Sequence, residues 1–171
     1  MIARRQVDQI VFAFSTLERK VLERTIAALL QNYKIPPAEI DQKVAAVWYS
    51  ARGCKSARMS ADETADWVKQ LYSVRTGRIE VLESSLRQFA VQTEPPWALR
   101  IAVSQSEALM TALNDHRLLL SARHDIGEAE MNVRSFASLS KLPPPQQTAL
   151  CEIEFLAYMV EELIQLLQNP A

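Results

Sequence analysis

The stretch Leu113-Asn114-Asp115-His116-Arg117-Leu118-Leu119-Leu120 sets four consecutive polar groups inside an apolar run, and this constrains the fold more than any other feature of the chain. On a helix, at roughly 100° per residue, Leu109, Ala112, Leu113, His116, Leu119 and Leu120 share one face, while Met110 and Leu118 lie on other sides. A helix apolar on most sides belongs at the centre of a protein. Asn114 and Arg117 are three apart and so neighbours on one flank, whereas Asp115 lies on the opposite flank beside Ala108 and Leu119. Both flanks need partners, because a buried unpaired amide costs about 1 to 3 kcal/mol and an unpaired guanidinium more. Asn114, Asp115 and Arg117 are therefore expected to form a hydrogen-bonded core cluster that fixes helix register. The alternative is a ligand site in which Arg117 clamps a carboxylate or phosphate.

The rest of the chain reads as helices separated by firm breaks. Ile10, Phe12 and Phe14 alternate with Val11 and Ala13, which predicts a strand over Gln9 to Phe14, paired with Ile2 to Arg5. Ser15 and Glu18 form a capping box for a helix running to about Tyr33. Pro37 suits the first turn of a second helix carrying Ile40, Val44, Val47 and Trp48, closed by Gly53. A second capping box, Ser60 and Glu63, opens a segment with Trp67, Val68, Leu71, Tyr72 and Val74 at helical spacing. Beyond Gly77 the pattern resumes through Phe89, so the segment fits one helix of roughly 30 residues or two shorter ones, and one helix, with room for a kink, is preferred. Pro95-Pro96 ends it, and Leu99 to Val103 reads as a further strand. A third capping box, Ser104 and Glu107, starts the central helix at about Gln105. Glu128 to Leu139 has moderate helical spacing, and a last amphipathic helix spans about Pro145 to Leu167, with Glu152, Glu154, Glu161 and Glu162 on its acidic face. The expected fold is mainly α: a single helical domain over residues 1–171, a bundle of about five to six helices with a small two- or three-stranded antiparallel β element.

The Leu-Asn-Asp-x-Arg-Leu-x-Leu pattern of Leu113, Asn114, Asp115, Arg117, Leu118 and Leu120, with weaker support from Leu17, Glu18 and Leu22, resembles a bacterial family known as the domain of unknown function 2017. The resemblance implies no activity. It implies a gene neighbourhood: members are often encoded beside the adaptor subunit of the Clp protease, or carry a regulatory label. A protein partner, with the Clp adaptor as first candidate, follows as an expectation, and self-association stays open beside it.

Charge and residue chemistry narrow the classes further. The net charge is -1, with ten Lys or Arg against five Asp or Glu in residues 1–60, and four Glu with no Lys or Arg in residues 142–171. Docking of the two ends on each other is the expected reason for that asymmetry, ahead of a basic face awaiting a partner. The densest basic run, with Arg52, Lys55 and Arg58 near Trp48 and Tyr49, is the one weak nucleic-acid candidate, and a solvated loop accounts for it better. Cys54 and Cys151 lack ligand spacing, and His116 and His124, eight apart, would lie roughly 12 Å apart on a helix, so neither a metal nor another cofactor is expected. No run of 18 apolar residues and no signal-peptide core is present, which predicts a cytoplasmic protein with no membrane contact. No Gly-rich phosphate loop or nucleophile elbow occurs either. The expected function is a non-enzymatic binding or regulatory module acting through protein contacts. The alternative is a small enzyme or ligand-binding protein with a pocket around Arg117.

Overall fold

Val7 and Asp8 close a hairpin between strands β1 (Ile2–Gln6) and β2 (Gln9–Phe14) in the computed structural model, which describes residues 1–50, 57–132 and 136–169. Strand β3 (Trp97–Ala102) joins β2 on its other side, giving one antiparallel sheet in the order β1-β2-β3. The period-two alternation puts Ile10, Phe12 and Phe14 of β2 on the inner face opposite Ile101, Leu99 and Trp97 of β3, and all six are buried. Helix α1 (Thr16–Tyr33) packs on that face through Leu22, Ile26 and Leu29, joined by Phe89 from a later helix. The chain is thus mainly α with one three-stranded antiparallel sheet.

The local signals set several of the helix starts. Ser15 accepts from the Glu18 amide while Glu18 accepts from the Ser15 amide, and Ser60 and Glu63 do the same at the start of α3 (Ala61–Thr76). Helix α2 (Gln42–Trp48) departs from expectation: it starts not at Pro37 but after Asp41, whose carboxylate accepts from the amides of Lys43 and Val44. The prolines form a turn instead, with Glu39 and Ile40 bonded back to the Pro36 carbonyl. The expected stop at Gly53 lies outside the described residues.

The segment after Ser60 is two helices rather than the one helix preferred from the sequence. Helix α3 ends at Thr76 and α4 (Ile79–Ala90) begins after Arg78. The Gly77 amide still bonds Ser73, but the Arg78 amide reaches only three residues back to Arg75, so the ladder tightens and breaks there. In α3 the expected apolar positions Trp67 and Val74 face solvent, at 40% and 56% exposure, while Arg75 is buried.

The third capping box does not form. The chain leaves β3 through a 3-10 turn, Val103–Gln105, and α5 (Ser106–Arg123) starts without a side-chain cap, the buried Ser106 bonding back through its amide to Val103. A strand running directly into a helix needs this tighter turn, and its backbone bond replaces the side-chain cap. The Glu128 to Leu139 segment holds two short helices, α6 (Glu128–Met131) and α7 (Phe136–Leu139), and the last helix, α8 (Pro144–Gln168), lies within a residue of its expected span. Among the described residues no helix is long and apolar enough to cross a membrane.

One edge of the sheet is closed by side chains. Gln88 of α4 accepts from the Arg100 amide at 2.8 Å and donates to its carbonyl at 2.9 Å, and Gln92 does the same to Ala98 at 2.7 and 2.6 Å. Two primary amides therefore stand where a fourth strand would pair. Replacing both by Ala removes these four hydrogen bonds and the one from Gln92 Nε2 to the Gln88 carbonyl, all from partly exposed groups, and chemical denaturation is expected to show a loss of about 1 to 3 kcal/mol.

Candidate functional site

Adjacent residues of α5 point about 100° apart, so Asp115 and His116 enter different layers of the protein and each becomes the centre of a polar cluster. Asp115 is buried at 4% exposure, and its Oδ2 accepts from Tyr33 Oη at 2.7 Å and Arg78 Nη1 at 3.0 Å. Oδ1 accepts from Arg75 Nη2 at 3.3 Å, and the Asp115 carbonyl accepts from Trp48 Nε1 at 2.9 Å. The Arg75 guanidinium lies over the rings of Trp48 and Tyr49, at 5.3 and 5.0 Å from their centroids. Burial, with the charge and hydrogen bond of Asp115, pushes the Tyr33 hydroxyl well above its ordinary range. Arg75 and Arg78, three residues apart and so on one side of the chain, both reach this carboxylate from either side of the break at Gly77.

Asn114 and Arg117 do not join this cluster. Asn114 is exposed and Arg117 half-buried, and Arg117 Nη1 donates to Asn114 Oδ1 at 3.3 Å on the other flank of the helix. Arg58 is exposed with a left-handed backbone (φ 55°), and Arg52, Lys55 and Cys54 lie outside the described residues.

The second centre involves residues that the pattern of charges concealed. Glu152 of α8, expected on a solvated acidic face, is 6% exposed and accepts from Thr25 Oγ1 at 2.7 Å, His116 Nε2 at 3.0 Å and Arg24 Nη2 at 2.5 Å. The sequence did carry a signal: Glu152 falls in the buried stripe Ala149, Leu156, Met159 and Leu163, spaced three and four apart. Burial alone would raise its carboxyl, but the hydrogen bonds of His116 and Thr25 and the charges of His116 and Arg24 hold it at about 2. An ionised Glu152 only accepts, so Nε2 of His116 carries the proton it shares with the carboxylate. The Nδ1 atom is enclosed and unpartnered, out of reach of solvent.

This cluster separates two hollows along the seam of α1 and α8. One, of about 370 Å³, is lined by Arg24, His116, Arg123 and His124 among others, and Arg123 also donates to Asn32 at 2.8 Å. The second, of about 490 Å³, is lined by Leu17, Val21, Leu139, Cys151 and Phe155. Arg24, Thr148 and Glu152 stand in the walls of both, so a basic hollow and an apolar one adjoin. Arg117 lines neither. The arrangement can hold apolar side chains at one end and a carboxylate at the other; the His116 ring is enclosed, while the half-buried His124 stands in the wall of the basic hollow.

A family model described as a domain of unknown function (DUF2017) matches residues 1–167. No curated protein and no solved structure matches the chain.

Two measurements probe the centres. Asp115→Ala strands the buried guanidinium of Arg75 and the half-buried one of Arg78 and is expected to cost about 3 to 5 kcal/mol, whereas Asn114→Ala on the exposed flank is expected to stay within about 0.5 kcal/mol in the same denaturation series. Glu152 is an acid whose folded value is depressed from 4.5 to about 2, so its contribution is complete above pH 4.5 and is lost as pH falls toward 2. Stability of the protein should fall across that window by roughly 3 kcal/mol from this group, and Glu152→Gln should remove that part of the slope.

Proposed function

The chain belongs to the DUF2017 family, and from its geometry we propose that it is a non-enzymatic binding module that docks a segment of a partner protein along the α1–α8 seam. The observation that carries this is the shared wall of Arg24, Thr148 and Glu152 between a basic and an apolar hollow. A segment lying across it sets apolar side chains against Val21 and Phe155 and a carboxylate near Arg24 and Arg123. Leu17, at 72% exposure, stands in the wall of the apolar hollow, and Tyr158 of α8 is an exposed ring at 50%. The buried carboxylates point the same way: each is already held by three side-chain donors, so both serve the packing of the helices. The Clp adaptor, expected from the family's gene neighbourhood, is the first partner to test, in the cytoplasm.

Leu17→Asp separates contact from folding. Leu17 is exposed, so the variant should unfold within about 0.5 kcal/mol of the parent. Titration of the purified Clp adaptor into the parent is expected to show binding that Leu17→Asp weakens at least about tenfold. Binding that survives the substitution unchanged would move the contact off the seam.

A further inference from the structure

The sheet has two edges, and the chain treats them differently. At β3 the outward amide and carbonyl groups are those of Ala98 and Arg100, taken up by Gln92 and Gln88. Alternation then fixes the rest: β3 bonds β2 through Trp97, Leu99 and Ile101, opposite Phe14, Phe12 and Ile10. Strand β2 must turn Gln9, Val11 and Ala13 to β1, where they face Gln6, Arg4 and Ile2. The amides and carbonyls of Ala3 and Arg5 therefore point outward from β1, and among the described residues no backbone or side-chain group bonds them.

Charge identifies what fits this edge. Arg4, Arg5 and Arg100 meet no carboxylate among the described residues: Arg5 donates to the carbonyls of Val7 and Leu166, and Arg4 reaches only the Gln6 side chain once that amide is turned to accept. Arg4 and Arg100 flank an apolar floor of Val11, Ala13 and Ala98 in a shallow hollow of about 380 Å³ on the outer face of the sheet. A second copy is the wrong occupant. Antiparallel pairing of two β1 strands through Ala3 and Arg5 centres on Arg4, setting it directly opposite the Arg4 of the other copy at the close, non-bonded position, where like charges repel.

We propose that β1 is a docking edge for an extended acidic peptide segment of another protein, which adds as a fourth strand. Its backbone pairs with Ala3 and Arg5 while its carboxylates, all on one face of the added strand, meet Arg4 on the outer face. This surface is distinct from the α1–α8 seam, so Leu17→Asp should leave its binding unchanged.

The probe is an acetylated, amidated peptide of about six residues alternating Glu and Val, with a Lys-Val peptide as control. Calorimetric titration is expected to show binding of the acidic peptide only, weakened about tenfold or more by Arg4→Glu, a substitution that should also admit the Lys-Val peptide. Hydrogen exchange should show the Ala3 and Arg5 amides becoming protected on binding. Ala3→Pro deletes one outward donor at a position where an edge strand tolerates proline, and it should weaken binding without unfolding the protein. Four results would each overturn the proposal: no binding; binding that depends on Arg4 but leaves both amides unprotected, which is charge attraction alone; protection of those amides by self-association without peptide; or displacement of the peptide by a single-stranded oligonucleotide that binds more tightly through the same arginines. Protection in the unsubstituted protein decides the matter even if Ala3→Pro folds poorly.

Discussion

A single carboxylate, that of Asp115, holds the helical layers in register. Its two oxygens take hydrogen bonds from α1 through Tyr33 and from the α3–α4 junction through Arg75 and Arg78, and its carbonyl takes the Trp48 indole of α2. A buried ion pair of this kind gives little net stability over an apolar replacement, since desolvation offsets most of the attraction. Its value lies in geometry. An apolar contact tolerates sliding by a turn, but a carboxylate with three donors from separate elements admits one arrangement, and the Tyr33 and Trp48 rings packed at 5.5 Å fill the space around it.

The neighbouring His116 repeats the device on the other side of α5 with different elements. Glu152 of α8, His116 of α5 and Thr25 and Arg24 of α1 tie together the three longest helices, and the Arg24 side of that tie remains half open to solvent. The seam owes its shape to this tie. Without a polar wall at Arg24 and Glu152, the apolar hollow and the basic one would merge, and the separation of apolar from charged surface that the docking proposal uses would be lost.

What the sequence disclosed follows the range of the interactions. Ser15 with Glu18 and Ser60 with Glu63 act within four residues, so spacing alone reveals them. Ser104 and Glu107 share the same spacing and fail, because the turn out of β3 is set by the sheet and not by the local residues. Asp115 could be recognised as a buried group needing partners, yet Tyr33, Arg75 and Arg78 lie 82, 40 and 37 residues away and nothing local names them. Asn114 shared its polarity but not its flank, and one helical step decides between core and solvent. Glu152 and Arg75 mark the kind of clue that charge counting hides: each occupies an apolar phase of its helix, Arg75 in line with Val68 and Leu71, and a charge in that phase signals a buried partner.

The glutamine pair on β3 also governs what this sheet could ever build. A sheet with two open edges can add units at both and so propagate, which is the geometry of a fibre. Here Gln88 and Gln92 have the bonding pattern of a strand but no second edge to offer, because behind them lies the body of α4. Strands can add only at β1, so copies of this chain cannot stack through both edges of their sheets. The fold thereby closes that route to a fibre by the placement of two side-chain amides.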